Sequence, residues 1–176
     1  MNLFKISNKL FCTFTPIKLD SDPTKILLKL RKLFPELKIQ LLNSDSIINK
    51  DHLIWAVKQT YEAQNRKILL AKKFEIDLLL RLSITSQINE AIKLIGALSS
   101  EQNLIVLSLG NKNQLNRFNL WIENNFKILP LIHYGNQKEI LKKLNINYSI
   151  SNISKKDLSL LLLSHSALIF TDKTSK

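Results

Sequence analysis

The alternation of strand-length apolar runs with amphipathic, helix-length segments is the feature that most constrains the fold of this chain. Residues 104–109 form an apolar run interrupted only by Ser108, and Asn111, just after Gly110, can cap the helix that follows. Similar segments succeed one another along all 176 residues without long linkers, repeats or low-complexity tracts. The pattern predicts the α/β class: a single domain over residues 1–176, with a small mixed sheet surrounded by about six or seven helices.

Capping residues and breakers define the individual elements. Asp22 followed by Pro23 predicts the first turn of a helix that ends at Pro35. Gly96 suits the left-handed position that often follows the last turn of a helix. The predicted strands cover residues 2–6, 9–14, 37–41, 104–109 and 167–171, and the other predicted helices begin near residues 51, 75, 87, 112, 137 and 155.

The chain is strongly basic. Lys and Arg number 26 against 14 acidic residues, which gives a formal net charge of +12, and 22 of the 26 basic residues are Lys. A positive field of this size favours polyanions such as RNA, and lysine favours contact with phosphates over bidentate reading of bases. The alternative interpretation is a solvated, lysine-rich surface without a nucleic-acid partner.

Composition and motif searches exclude several enzyme classes. The three glycines are too far apart for a dinucleotide-binding or Walker A loop, and no nucleophile elbow or zinc-protease motif occurs. The single cysteine cannot form an intrachain disulfide or a cysteine-based zinc cage. The sequence therefore predicts a protein that is not an enzyme, with no cofactor and no bound metal. A site assembled by the fold from dispersed side chains is the alternative.

Targeting and membrane signals are weak in the sequence. The first 16 residues have neither an apolar stretch of signal-peptide length nor an evident cleavage site. The most apolar segment, residues 158–170, is interrupted by polar residues and is shorter than the roughly 20 residues that a span requires. We therefore expect a cytoplasmic protein without a membrane partner.

The predicted helix over residues 51–66 has an unusual polar face. Its apolar side carries Leu53 and Val57, whereas His52, Trp55 and Gln59 fall on the opposite side. A tryptophan among polar neighbours often marks a contact surface, although another part of the chain can also cover it. We take His52, Trp55 and Gln59 as candidate partner-binding residues. Leu161, in the apolar segment near the C-terminus, is a further candidate, with ordinary core burial as the alternative.

Residues 71–96 contain a candidate anion site. A break over residues 83–86 leads into a helix whose first backbone amides have no intrahelical acceptor and are free to bind phosphate or a sugar hydroxyl. Arg81 lies four residues after Asp77, so it can either pair with that carboxylate or serve as a cation beside the break. We assign Ile88 to the core. The candidate RNA-binding residues are Lys72, Lys73, Arg81, Ser86, Gln87 and Asn89.

A family resemblance supports this assignment. The segments Ala71-Lys72-Lys73-Phe74, Asp77-Leu78-Leu79-Leu80-Arg81-Leu82-Ser83 and Gln87-Ile88-Asn89-Glu90-Ala91-Ile92, with Gly96 after them, resemble the small regulatory, kinase-binding (TPRKB-like) subunit of the KEOPS complex. The clear similarity spans residues 52–96. Many members of that family carry glycine where Ile84 stands and a basic residue where Ser86 stands.

The resemblance implies a function in tRNA processing. KEOPS makes the threonylcarbamoyladenosine modification of tRNA, and in that family the small subunit is not catalytic. It docks on the kinase-like ATPase subunit, is thereby linked to the threonylcarbamoyl transferase subunit, and in archaeal relatives binds the 3′ CCA end of tRNA. The alternative function is a stand-alone basic RNA-binding module, which would show no preference for an intact CCA end.

Overall fold

The computed structural model describes residues 3–98, 102–130, 132, 134–144, 146 and 154–171. Its contacts divide the chain into two compact units. Unit 1 comprises Met1–Ser44 and Gly96–His133, and unit 2 comprises Asp45–Ile95 and Tyr134–Lys176. The α/β class predicted from the sequence is confirmed, because unit 1 contains the sheet and both units contain helices. The assignment of residues 1–176 to a single domain stays a prediction.

Unit 1 is built on a small antiparallel sheet. Five strands have the order β1-β2-β4-β3, with β5 paired to β2 beyond the end of β1. Every strand pairing among the described residues is antiparallel. The sheet therefore differs from the predicted mixed sheet, which would contain parallel pairs as well. The strands are β1 (Leu3–Lys5), β2 (Phe11–Leu19), β3 (Lys38–Asn43), β4 (Gln102–Gly110) and β5 (Lys127–Ile128).

Seven α-helices are described. They are α1 (Pro23–Leu33), α2 (Lys50–Asn65), α3 (Phe74–Ser83), α4 (Ile88–Ile95), α5 (Lys112–Asn125), α6 (Gln137–Lys143) and α7 (Lys155–Thr171). The predicted caps are confirmed where local sequence is decisive. The Asp22 carboxylate accepts a hydrogen bond from the Thr24 amide at 2.8 Å, and Asn111 and Gln114 form a reciprocal capping box.

One face of the sheet packs against α1 and α5. Alternate residues of the strands, among them Ile17, Ile39 and Val106, are fully buried on this face. The helices contribute aromatic side chains, and the rings of Phe34 and Phe118 meet edge to face with centroids 5.0 Å apart. Each fully buried side chain of this size contributes roughly 1.5–3 kcal/mol of transfer free energy, so this cluster is a principal stabilising element of unit 1.

Unit 2 is helical, and a second apolar cluster joins three of its segments. Ile48, Ile140 and Leu141 pack with Leu158 and Leu162 of α7. Gly135 closes the chain against a short 3-10 helix, Ser44–Ser46, because its amide donates to the Ile47 carbonyl at 3.0 Å. A Cβ at this position would overlap the Asp45 carbonyl, so the approach of the two backbones requires glycine.

Two local predictions are wrong. Residues 167–171 continue α7 and do not form a strand, since neither glycine nor proline interrupts the helix that Ser154 caps. Gly96 does not adopt a left-handed conformation, because none of the three glycines has a positive φ, and it forms an isolated bridge with Leu42 instead. Over the described parts of the chain, no helix is long and apolar enough to cross a membrane.

Candidate partner and nucleic-acid interfaces

All the candidate site residues lie in unit 2, and the helix α2 carries three of them. Its buried face includes His52, which is only 3% exposed, together with small residues at Ala56 and Ala63. The placement of His52 on the exposed polar side is therefore wrong. The two alanines could have indicated this buried face from the sequence, because small side chains at helical spacing let neighbouring elements approach closely.

Burial determines the charge state of His52. Desolvation lowers its pKa from 6.5 to about 4, so the imidazole is neutral near pH 7. Its Nδ1 atom finds no hydrogen-bond partner among the described residues, and the same holds for the hydroxyls of Ser46 and Thr60. His52 is thus a structural residue of the interior and is removed from the candidate contact surface.

Trp55 is exposed on α2. Its side chain retains 39% of its accessible surface, and the Lys58 ammonium lies 5.0 Å from the centroid of its ring. This distance is within the range of a cation–π contact, which orients the indole without covering it completely. A partly exposed indole supplies both apolar area and a hydrogen-bond donor to a binding partner.

Gln59 connects α2 to α7. Its amide nitrogen donates to the Leu163 carbonyl at 3.3 Å, and the Ser166 hydroxyl donates to its amide oxygen at the same distance. Ile48, just before α2, belongs to the same apolar cluster as Leu158 near the start of α7. These hydrogen bonds join α2 to α7, and Trp55 lies on α2 one turn before Gln59.

The exposed side of α7 contains leucines. Leu161 is half-buried against the second cluster, whereas its neighbour Leu160 is 44% exposed and Leu168 is 63% exposed. The sequence prediction missed Leu160. The signal was present, because a helix that is apolar on every side leaves some leucines facing outward unless other elements surround it.

Arg81 is part of a buried ion pair in α3. It is 8% exposed, and its Nε donates to the Asp77 carboxylate at 2.6 Å. The other Asp77 oxygen accepts the Leu70 amide at 2.7 Å. The role of Arg81 as a cation presented to RNA is therefore corrected: the alternative, an intrahelical pair, is the observed arrangement, and this guanidinium neutralises Asp77.

Lys72 and Lys73 remain exposed at the start of α3, while the break that precedes α4 lies after its other end. With ten residues in α3 and a rise of about 1.5 Å per residue, about 15 Å of helix separates the two groups. The candidate RNA residues thus form two separate subsets, the lysine pair and the start of α4.

The break between α3 and α4 has a specific backbone geometry. Ile84 ends α3 in the left-handed conformation, with φ of 53° and ψ of 39°. The Thr85 hydroxyl accepts the Gln87 amide at 3.2 Å and donates to the Glu90 carboxylate at 2.7 Å. The left-handed conformation favours glycine, so the β-branched Ile84 is an unusual residue at this helix end.

The start of α4 exposes a mixed surface. Gln87 and Asn89 are exposed, and Ile88, which was assigned to the core, is 45% exposed, so that assignment is wrong. Ala91 and Ile95 bury the other side of this short helix. Ile88 is the first residue of α4 and precedes the buried stripe by one turn.

Comparison with known proteins identifies the family. The family model described as "Kinase binding protein CGI-121" matches residues 21–161, which is most of the chain. The chain belongs to the CGI-121 family. Among curated proteins, the "Regulatory protein Cgi121" of Methanocaldococcus jannaschii is 44% identical over 61 residues, or 35% of this chain and 39% of the relative. That alignment spans about two-fifths of the length of the relative.

Membership in the CGI-121 family confirms the resemblance to the small, kinase-binding type of subunit. The family match includes residues of both units and all of the candidate site residues. Within the described residues, no group of three or more His, Cys, Asp or Glu side chains is arranged to hold a metal ion.

Proposed function

We propose that this chain is a non-catalytic KEOPS subunit that docks on the kinase-like ATPase and helps to bind the 3′ CCA end of tRNA for threonylcarbamoyladenosine formation. The observation that carries the proposal is the family match over residues 21–161, since the family is described as kinase-binding. The name of the archaeal relative, a regulatory protein, supports a role without catalysis.

We assign kinase docking to the Trp55 surface, defined as Trp55 with Leu160 and Leu161 of α7. Two observations support this assignment: Gln59 joins α2 to α7 through its hydrogen bonds with Leu163 and Ser166, and the exposed Trp55 lies one turn before Gln59 on α2. Partly exposed aromatic and aliphatic side chains of this kind form the centre of protein interfaces, where a few residues carry most of the binding energy.

Replacement of Trp55 tests the docking surface. A Trp55→Glu variant should weaken binding to the purified kinase-like subunit at least tenfold, because the change removes a large anchor and buries a charge at the interface. Leu98→Glu is a matched control, since Leu98 is 57% exposed and lies in unit 1. Binding by Trp55→Glu that equals that of the Leu98 control would reject this surface.

RNA binding is assigned to the two subsets at the ends of α3. Gln87 and Asn89 offer amide donors and acceptors to base edges, and Ile88 offers an apolar surface beside them. The Glu90 carboxylate lies in the first turn of α4 and disfavours phosphate there. The start of α4 is therefore suited to bases at the tRNA end, and Lys72 and Lys73 are suited to phosphates further back along the strand.

Binding to tRNA with and without its CCA end tests this assignment. Wild-type protein should prefer the intact tRNA, and Gln87→Ala/Asn89→Ala should reduce that preference about tenfold. Lys72→Gln/Lys73→Gln should keep the preference for intact tRNA. This double variant should lower the slope of log affinity against log salt concentration, the salt slope, by about 1.4, or about 0.7 for each lost single-strand phosphate contact.

The lysine pair of α6 provides the control. Lys142 and Lys143 are exposed neighbours, so Lys142→Gln/Lys143→Gln changes the net charge by the same amount. An equal salt slope for the two double variants would reject the Lys72–Lys73 assignment. A wild-type protein that bound both forms of tRNA equally would reject CCA recognition and favour the stand-alone RNA-binding module.

A further inference from the structure

The outer side of α1 in unit 1 presents lysines that none of the functions assigned above uses. Helix α1 has no acidic residue, and Lys25, Lys29 and Lys32 are all exposed, with Leu28 between them at 62% exposure. Spacings of three, four and seven residues put these four side chains on one stripe. We name this stripe, together with Trp121 and Arg117 of α5, the lysine face.

The fold positions the lysine face rigidly. The opposite side of α1, including Leu30 and the capping residue Phe34, is buried against the sheet and α5. Trp121 packs edge to face on Phe34, with centroids 5.8 Å apart, and the Lys29 ammonium lies 5.7 Å from its ring centroid. Arg117, one helical turn before Trp121, is exposed and extends the positive surface along α5.

Among the described residues, no carboxylate forms an ion pair with the cations of this face. Within the part of the chain that the structure describes, Lys25, Lys29 and Lys32 take part in no ion pair. Asp22 accepts the Thr24 amide at the helix start, and Glu123 of α5 is two residues from Trp121 and so projects away from it. Three adjacent ammonium groups repel one another, and a polyanion relieves that repulsion.

We propose that the lysine face binds the sugar-phosphate backbone of RNA without reading its sequence. The rise from Lys25 to Lys32 is about 10 Å, which corresponds to about three phosphates of one strand at 3.4 Å per charge. Lysine ammonium groups contact phosphates as point charges, and the edge of Trp121 provides a surface for a ribose or base.

Two other classes of partner fit the face less well. Protein interfaces are depleted of lysine, whereas lysine is the main residue of this stripe. A membrane-surface helix inserts its apolar side into lipid, but the apolar side of α1 is committed to the core through Leu30 and its neighbours. An RNA backbone requires only exposed, correctly spaced cations, which this face supplies.

The inference is independent of CCA recognition, and the experiment separates the two. The probe is tRNA that lacks its CCA end, and its affinity for the full-length protein is measured as a function of salt. Lys25→Gln/Lys29→Gln/Lys32→Gln should lower the slope of log affinity against log salt by about 2 to 3. Lys138→Gln/Lys142→Gln/Lys143→Gln is the control, because it removes three exposed lysines of α6 and the same net charge.

A fluorescence measurement tests the location directly. The chain has two tryptophans, so Trp55→Phe leaves Trp121 as the single reporter. Addition of the truncated tRNA should change Trp121 emission in this variant, and the change should disappear in the triple α1 variant. Unchanged Trp121 emission at saturating RNA would overturn the proposal, as would an equal drop in salt slope for the α1 and α6 variants.

Binding to phosphatidylserine vesicles is the last comparison. The wild-type protein and the triple α1 variant should bind such vesicles equally weakly. The proposal would be overturned in favour of a membrane surface by two results together. The triple α1 variant would lose vesicle binding, and its salt slope for RNA would equal that of the wild-type protein.

Discussion

Two ion pairs in unit 2 share their sequence spacing and their length but differ in their surroundings. Glu62 and Arg66 of α2 meet at 2.7 Å, and Asp77 and Arg81 of α3 meet at 2.6 Å, each with the acid four residues before the arginine. The α2 side chains are 67% and 55% exposed at Arg66 and Glu62, whereas those of Arg81 and Asp77 are 8% and 0% exposed.

The comparison shows that geometry alone does not determine what an ion pair contributes. At the surface, water and salt screen the two charges, and little free energy depends on their contact. In the interior, each charge depends on the other, because removing one leaves the second desolvated and uncompensated. The buried pair therefore restricts which substitutions α3 tolerates, whereas the exposed pair imposes little restriction on α2.

The largest expected effect is at Arg81. Arg81→Leu should lower the free energy of unfolding by about 3–5 kcal/mol, because it leaves the Asp77 carboxylate buried without its cation. Asp77→Asn in the same chain should restore part of this loss, since the amide oxygen can still accept the Leu70 amide. Urea denaturation followed by circular dichroism measures both. Equal stabilities of Arg81→Leu and the double variant would show that Asp77 does not depend on its partner.

His52 is a third case beside the two ion pairs, because it is buried without an ionic partner. Its imidazole stays neutral and so avoids the desolvation cost of a buried charge. Its pKa is about 4 in the folded chain and 6.5 when unfolded. The unfolded chain therefore binds more protons between these values, and stability should fall by up to about 3 kcal/mol as the pH drops from 6.5 to 4. The effect of His52 should be absent above pH 7.

The prediction for His52 is checked by comparing the pH dependence of the unfolding free energy of the His52→Leu variant with that of the wild-type chain. Unfolding free energies of both proteins are determined at several pH values from 4 to 8. The wild-type chain should lose more stability than the variant in the acid range, and the two curves should run parallel above pH 7. Parallel curves over the whole range would mean that the imidazole has the same pKa in the folded and the unfolded chain, and would contradict its desolvation.

The same contrast explains what the sequence could predict. Helix starts at Asp22 and Asn111 were predictable, because a cap acts on amides within three residues. The exposure of Trp55 followed from its position on the polar side of α2. These predictions depend only on local spacing, and the structure agrees with each of them.

The burial of individual polar residues could not be predicted in the same way. The spacing of Asp77 and Arg81 is identical to that of Glu62 and Arg66, so the sequence pattern does not indicate which pair is interior. His52 is buried although helical spacing puts it on the polar side of α2. Ile88 fits an apolar stripe but lies at its exposed end. Side-chain environment is set by tertiary packing, which helical periodicity describes only on average.

A smaller effect is expected at Thr60, a buried residue of α2 whose hydroxyl has no partner among the described residues. Thr60→Val keeps the shape and removes the unpaired hydroxyl, so it should raise the free energy of unfolding by about 1 kcal/mol. Thr13→Val is the matched control in unit 1, because the Thr13 hydroxyl contacts that of Ser108 at 2.7 Å. The Thr13→Val control should lower the free energy of unfolding by about 1 kcal/mol. A lower free energy of unfolding for both variants would indicate that the Thr60 hydroxyl also has a partner.

The smallest effect is expected at the exposed ion pair of Glu62 and Arg66. A double-mutant cycle with Glu62→Ala and Arg66→Ala isolates their interaction from other effects of each residue, such as the position of Arg66 at the end of α2. The coupling free energy should be about 0.3–0.5 kcal/mol in low salt and close to zero in about 1 M salt, where the screening length is about 3 Å. A coupling above about 2 kcal/mol would place this pair in the same class as Asp77 and Arg81. Solvent exposure would then not explain the difference between the two helices.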